Sequence, residues 1–277
     1  MRLYLIVLSA FFLMLMSCGG NKTSQIEDER VEDSTQVMDS MAVDSLEEAV
    51  APMPQAADEL FDDFIFNFAS SRKLQMERIV FPLPVYQDNQ KTMLKRKDWK
   101  TEHFFMQQGF YTLLFDSEQQ MEVVKDTTVS HAMIEKVLLA DSKVTQYVFD
   151  RLHGKWKMTS LHVVPVDQAF NASFLNFYHH FVNDKEFQLK SLSETVDFVG
   201  PDPDDDFSEM EGVITSDTWE AFAPELPSDM FYNIVYGKAG KEGGEKVLVL
   251  RGIANGFELR MTFRLKGDTW KLTKLIT

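Results

Sequence analysis

The segment FDDFIFNFASSRKLQMERIV at residues 61–80 decides the fold, because a close counterpart, FLNFYHHFVNDKEFQLKSLS, occupies residues 174–193 without a gap. The matched aromatic positions are Phe61 with Phe174, Phe64 with Phe177, and Phe68 with Phe181. Apolar residues at i, i+3, i+4 and i+7 predict an amphipathic helix in each copy. The chain is therefore predicted to contain two copies of one fold, each about 100 residues long, which is an ordinary domain size.

The match continues downstream into predicted strands. Residues 257–265 alternate apolar and polar side chains after an Asn255-Gly256 turn, a pattern typical of a strand with one buried face. A second helical stretch is predicted at 93–106 around Trp99, with a shorter one around Trp219. The predicted strands form an antiparallel meander in each half: 110–115, 129–140, 143–152 and 155–164, then 231–236, 246–254, 257–266 and 269–276.

The N-terminus resembles an export signal. Arg2, the apolar run 3–16 and the small Ser17 precede the single cysteine of the chain, Cys18. The run is too short to span a bilayer comfortably. Leu-Met-Ser-Cys followed by two glycines resembles the bacterial lipoprotein signal, which implies that Cys18 receives the lipid after removal of residues 1–17. With one cysteine, the folded part is expected to depend on packing rather than on disulfides.

Residues 18–59 are predicted to form an acidic, flexible tether. Residues 26–59 hold eleven carboxylates against Arg30 alone, which accounts for most of the net charge of −15. Low hydrophobicity with high charge is typical of disordered segments. Because so acidic a chain repels phosphate backbones, no nucleic-acid partner is expected.

An aromatic-striped helix, a short helical segment and long strands ending in Trp-Lys-x-Thr at 156–159 and 270–273 resemble the nuclear-transport-factor-2-like superfamily. The resemblance implies an α+β chain of two tandem cone-shaped domains, 60–166 and 170–277. Each domain would have an N-terminal helix packed on a curved antiparallel sheet. Together with the anchor and tether, the chain is similar to an uncharacterised family of Gram-negative envelope lipoproteins, a domain of unknown function. The superfamily includes isomerases, dehydratases and binding domains, so the fold does not choose among them.

His131 and Glu135 are the catalytic candidates. In a strand over 129–139 they share one face, and we expect that face to point into the first pocket. A histidine and a carboxylate in an apolar cavity can serve as base and acid. Four residues of strand separate them by about 13 Å, so they cannot bond directly. A rim or surface pair is the alternative reading.

Two clusters contain residue types that bind metals. His179 and His180 lie off the core face of their predicted helix, and adjacent helical residues diverge too far to chelate one ion. Asp202, Asp204 and Asp206 resemble the opening of a calcium loop, but that loop's usual glycine and final glutamate are missing. We expect no metal and no cofactor, and we interpret the acidic run as a solvated loop.

Corresponding segments of the two halves carry opposite charge. Lysine and arginine residues of 91–100 surround Trp99, whereas carboxylates of 202–211 precede Trp219. The contrast suggests that the two segments approach each other, within one chain or between two molecules.

These features favour a non-enzymatic, lipid-anchored protein of the cell envelope. The anchor would place it on the outer membrane, facing the periplasm or the surface. Its cones would bind a small apolar ligand, a glycan fragment or another envelope protein. The alternatives are an isomerase, dehydratase or hydrolase acting in one cone, and a purely structural envelope protein.

Overall fold

The computed structural model describes residues 58–277, apart from 203, 239 and 241 and the side chains of 206 and 207. The predicted signal, Cys18 and nearly all of the tether lie outside the described residues. The helices are α1 (Phe61–Ser70), α2 (Arg72–Arg78), α3 (Ala172–Asn183), α4 (Lys185–Lys190) and α5 (Trp219–Phe222). The strands are β1 (Leu83–Gln87), β2 (Gln90–Leu94), β3 (Phe110–Phe115), β4 (His131–Leu138), β5 (Lys143–Leu152), β6 (Lys155–Pro165), β7 (Leu192–Asp202), β8 (Asp205–Ile214), β9 (Met230–Tyr236), β10 (Glu245–Gly252), β11 (Glu258–Lys266) and β12 (Thr269–Ile276).

The two helix pairs confirm the repeat that begins at Phe61. The predicted stripes are buried in α1 and α3. Each helix is followed by a short second helix whose N-cap is a polar side chain. Ser71 Oγ accepts a hydrogen bond from Leu74 N at 3.2 Å, and Asp184 Oδ1 accepts one from Phe187 N at 3.0 Å. These matched caps end one helix and start the next at the same point of both copies.

All twelve strands belong to one sheet, in the order β2-β1-β6-β5-β4-β9-β3-β10-β11-β12-β7-β8. The first five strands counted inward from the two ends of the sheet are counterparts in the two halves: β2 and β8, β1 and β7, β6 and β12, β5 and β11, and β4 and β10. The exception is at the centre, where β3 and β9 are matched in sequence but have changed places. β3 pairs with β10, β9 pairs with β4, and the two run parallel to each other. Each half therefore receives one strand from the other.

The pairing registers repeat as well. The parallel bridge of Ile79 with Met158 has its counterpart in the pairing of Leu192 with Leu272. A bulge follows Val148 in the first half and Thr262 in the second, at matched positions. At the exchanged strands the register differs by one residue: Lys136 of β4 lies opposite Tyr232, whereas Leu250, its counterpart in β10, lies opposite Thr112 rather than Tyr111.

The central strands serve two hydrophobic cores, one on each face of the sheet. Along β10, Val247 and Val249 belong to the core around α1, whereas Leu248 and Leu250 belong to the core around α3. Residues of β3, β4 and β9 divide between the cores in the same alternating way. Burial on both faces explains why these strands are nearly continuous apolar runs rather than alternating ones.

Polar contacts attach each exchanged strand to the half that receives it. The Tyr232 hydroxyl of β9 donates to Glu102 at 3.0 Å, and the Tyr236 hydroxyl donates to Asp62 of α1. At the end of β3, Asp116 accepts a hydrogen bond from Lys246 of β10. The exchange therefore involves specific side chains in addition to backbone pairing.

The α+β class and all eight predicted strands are confirmed, but two tandem domains, each with its own sheet, are not. The strands of both halves share one sheet. At its centre, each half pairs with a strand that belongs in sequence to the other half. The boundaries at 60–166 and 170–277 remain a prediction. Asp58, assigned to the tether, is buried and binds the Arg78 guanidinium at 2.7 and 2.9 Å, so the folded part includes it.

Three further expectations differ from the structure. The stretch 93–106 is not a second helix; it contains the end of β2 and two 3₁₀ turns, Arg96–Asp98 and Phe104–Gln107. The hairpins β1–β2 and β7–β8 were not predicted. The oppositely charged segments do not meet within one chain, because they lie at opposite edges of the sheet. Within residues 58–277 as described, no helix has the length and apolarity needed to cross a bilayer.

Candidate functional site

A buried glutamine positions the segment that covers the first core. Gln75 Nε2 donates to the carbonyl oxygens of Phe68 at 3.0 Å and Glu102 at 2.7 Å, and its Oε1 accepts from Trp99 Nε1 at 3.0 Å. This clamp fixes the backbone from Trp99 to Glu102 over the end of α1. The residues that follow are thereby directed across the open side of the core.

Two phenylalanines then close the first core. Phe104 lies 4.9 Å from the Tyr147 ring and 6.0 Å from that of Phe68, centroid to centroid. Phe105 packs on Phe66 at 5.2 Å. Phe104 has a φ of +47°, a strained value for a bulky residue, so its insertion is maintained against a local conformational cost. We call Phe104 and Phe105 the plug.

A polar cluster lies beside the plug, since the rings of Tyr147 and Tyr232 pack on Phe104. The hydroxyls of Tyr147 and Tyr232 donate to the Glu102 carboxylate at 3.1 and 3.0 Å, and Lys136 Nζ lies 4.0 Å from it. Burial, followed by the negative charge of Glu102, raises the pKa of both tyrosines. Both phenols are therefore neutral donors at physiological pH. They hold Glu102 in place rather than offering a reactive oxygen.

The second half has the same clamp but not the same plug. Gln188 Oε1 accepts from Trp219 Nε1 at 2.9 Å, as Gln75 does from Trp99. Counting back from the matched strands β3 and β9, the positions of Phe104 and Phe105 are taken by Glu225 and Leu226. Two large rings are thus replaced by a carboxylate and a smaller aliphatic side chain.

An open cavity of about 770 Å³ lies where the plug is missing. The segment 224–227 forms one wall and is attached to α3 by the buried Tyr178, whose hydroxyl donates to the Pro227 carbonyl at 3.1 Å. The opposite wall is made by the ends of β3, β10 and β11. The lining residues are Gln108, Gly109, Phe110, Pro224, Glu225, Leu226, Pro227, Leu250, Gly252, Asn255, Phe257, Leu259 and Thr277.

The cavity is apolar at its base and polar at its rim. Leu250 and Leu259 are buried members of the second core, while the Phe257 side chain at the rim is 47% exposed. Gln108, Asn255 and Glu225 supply polar groups. Among these lining residues, Glu225 has the single ionisable side chain. An apolar cavity with a few polar groups is the usual form of a small-molecule site.

The predicted pair His131 and Glu135 is not brought together. His131 Nδ1 lies 2.8 Å from Asp150 Oδ1 on the neighbouring strand. Glu135 is buried and accepts from Gln146 Nε2 at 3.0 Å and Asn233 Nδ2 at 3.1 Å. Burial raises the pKa of the Glu135 carboxyl, and these two hydrogen bonds oppose the shift.

The expectation that both side chains point into the first pocket is also not confirmed. Ala132 and Ile134 of β4 belong to the core around α1, but Val137 and Leu139, in phase with Glu135, belong to the core around α3. Glu135 thus lies on the face of the sheet away from α1. Sequence alternation identified a shared face but not which core that face serves.

The acidic candidates form a turn. Asp202 Oδ1 accepts from Asp204 N at 2.9 Å and Oδ2 from Ser208 Oγ at 3.4 Å, which closes the β7–β8 hairpin. The Asp206 side chain lies outside the described residues. In the described part of the chain, no group of three or more histidine, cysteine or acidic side chains is arranged to hold a metal ion. His180 is exposed and its ring lies 5.5 Å from that of Phe187.

Sequence reasoning did not identify the cavity, although the repeat contained the signal. Aligning the residues before β3 and β9 places Phe104-Phe105 against Glu225-Leu226. That comparison predicts that two aromatic rings close the core of the first half and that the core of the second half has a cavity at the same place.

The chain is similar to known proteins in sequence and in fold. Residues 39–277 match a family model described as Domain of unknown function (DUF4348). A crystal structure of an ntf2-like protein from Bacteroides fragilis NCTC 9343 is similar at 40% identity with a TM-score of 0.73, covering 81% of this chain and 98% of that one. No curated protein sequence matches the chain.

Proposed function

Since the chain belongs to the DUF4348 family of unknown function and has an ntf2-like fold, we propose that it is a non-enzymatic, lipid-anchored envelope protein. In this proposal it binds a small, largely apolar ligand in the cavity of its second half. The fold is compatible with ligand binding and with catalysis, so the site must decide between them.

The main support for the proposal is the difference between the closed first core and the open cavity of the second half. In the first half, Phe104 and Phe105 fill the space between helix and sheet. In the second half, Glu225 and Leu226 leave about 770 Å³ open. Cavities of roughly 300–1,000 Å³ accommodate small molecules. A purely structural chain has no need to remove the plug from one of two copies.

The lining favours binding over catalysis. General acid–base chemistry needs a base and an acid near the reacting atoms. Glu225 is the one ionisable side chain among the lining residues, and it is exposed rather than buried at the apolar base. A ligand would therefore be held by apolar contact with Phe110, Leu250 and Leu259 and oriented by polar groups at the rim.

The repeat also supports the proposal that residues 60–166 and 170–277 are two cone-shaped units that exchange one strand. Matched helix stripes, matched caps and matched registers of the strands outside the exchange favour this view. In it, the first unit is a filled support and the second unit is the binder.

Restoring the plug is expected to abolish binding. Leu226→Phe adds a ring to the cavity wall, at the position that counting back from β3 and β9 matches to Phe105, and we expect affinity for the neutral fluorescent probe N-phenyl-1-naphthylamine to fall at least tenfold. Titration of probe emission against protein concentration measures the effect. The matched control is Leu152→Phe, which adds the same ring at a side chain that is 40% exposed at the end of β5.

Equal probe affinity in wild type and Leu226→Phe, with both proteins folded by circular dichroism, would remove the cavity from the proposal. A loss in Leu152→Phe as large as that in Leu226→Phe would show that the probe reports on surface rings rather than on the cavity.

The anchor is proposed from the Arg2–Cys18 signal. Cells grown with radioactive palmitate are expected to label the wild-type chain and not Cys18→Ala. Phe187→Ala, a change within the folded part, should keep the label. Equal labelling of wild type and Cys18→Ala would exclude the anchor and leave the cavity argument unaffected.

A further inference from the structure

The two edges of the sheet are open and differ in charge. β2 pairs only with β1, and β8 pairs only with β7, among the described residues. In the part of the chain that the structure describes, the outer backbone groups of residues 91–94 and of residues 209–213 have no strand partner. Such edges are where sheets join to other chains unless something prevents it.

The β2 edge is basic and the β8 edge is acidic. Each edge carries several exposed charged side chains, and in the part of the chain that the structure describes these side chains form no ion pair. The exposed basic residues are Lys91, Lys95, Arg96, Lys97 and Lys100. The exposed acidic residues are Asp204, Glu209 and Glu211.

Charges on an edge strand normally discourage pairing, since identical edges repel each other. Here the two edges have opposite sign. Two β2 edges repel and two β8 edges repel, but a β2 edge attracts a β8 edge. Exposed apolar side chains accompany the charges on both sides: Met93 of β2 is 48% exposed, and Val213 of β8 is 64% exposed.

The strand directions allow the sheet to continue. Following the parallel and antiparallel pairings across the sheet shows that β2 and β8 run in the same direction. A second copy in the same orientation therefore presents its β8 parallel to β2 of the first. Such a contact joins two different surfaces and leaves one free edge at each end.

We infer that copies of this chain associate head to tail, the acidic β8 edge of one copy pairing with the basic β2 edge of the next. The contact is weak and depends on salt, because exposed ion pairs contribute little each and are screened. High local concentration on a membrane would favour it. This inference does not depend on the ligand cavity.

Charge reversal tests the inference in the chain from residue 19 onward, which retains the whole described unit. Lys95→Glu/Lys97→Glu cancels most of the positive charge of the β2 edge, and Glu209→Lys/Glu211→Lys cancels most of the negative charge of the β8 edge. In sedimentation equilibrium at ~0.01 M salt, where the Debye length is about 30 Å, wild type is expected to show a mass that rises with concentration. Each double variant alone should remain monomeric.

Mixing the two double variants is expected to restore association, because an acidic edge again meets a basic one. Asp141→Lys/Asp229→Lys, the same charge change at exposed sites beside the central strands β4, β5 and β9, should associate as wild type does. A monomeric wild type at low salt, or a mixture that remains monomeric, would overturn the inference. So would reversal variants that associate alone as wild type does.

Discussion

Asp116→Ala is expected to lower the free energy of unfolding by about 3 kcal/mol, near the lower end of the range for removing one partner of a buried ion pair. The ammonium of Lys246, a residue that is 1% exposed, donates to Asp116 and to Asn171 Oδ1 at 2.6 Å. Without Asp116 its positive charge is left in the second core with one neutral acceptor. Urea unfolding measures the change from the transition midpoint.

Lys246→Met is expected to cost much less, about 1 kcal/mol, because it removes the buried charge while keeping the length of the side chain. Adding Asp116→Ala to Lys246→Met should then add little, since the two changes act on one interaction. Equal losses from the two single changes, adding fully in the double variant, would show that the pair does not attach β3 to the second half.

The elements around each core were predictable from sequence, because their signals are local. Phenylalanines at helical spacing predicted α1 and α3, and alternation predicted β11 after Asn255-Gly256. Pro82 and Pro84 obscure the strand signal of the hairpin β1–β2, because proline lacks a backbone N–H and is rare inside strands. The turn of this hairpin is made by Asp88 and Asn89 in the left-handed region, at φ +49° and +60°. Asparagine and aspartate tolerate that region, so the signal was present.

The order of the central strands could not be predicted. β3 and β9 are matched in sequence, both are apolar, and each contributes residues to both cores. A pattern of apolar residues specifies burial but not the neighbour that provides it. The exchange site contains the buried polar residues Glu135, Asn233 and Lys246. They indicate which strands are neighbours only when their hydrogen-bond partners are known.

The candidate site was partly predictable for a related reason. The repeat gives the equivalence of Phe104-Phe105 with Glu225-Leu226, but no local pattern shows that these residues close a core. His131 and Glu135 are candidates only because of their residue types. In the structure His131 contacts Asp150, whereas Glu135 accepts hydrogen bonds from Gln146 and Asn233.

The exchange of β3 and β9 is the central claim, and engineered disulfides test it directly. Lys136 of β4 lies opposite Tyr232 of β9. Without the exchange, the matched residue Tyr111 of β3 would take that place. Both tyrosines are 3% exposed, so replacing either by cysteine is a comparable perturbation.

Directly opposed residues of an antiparallel pair have Cα atoms about 4.5–5.5 Å apart, within reach of a disulfide, whereas a strand two places away is about 10 Å distant. In the chain from residue 19 onward, which lacks Cys18, mild oxidation should cross-link Lys136→Cys/Tyr232→Cys nearly completely. Lys136→Cys/Tyr111→Cys should keep two free thiols, as counted by mass spectrometry after alkylation. A disulfide in the Tyr111 variant and free thiols in the Tyr232 variant would show that each half keeps its own strand, contradicting the exchange.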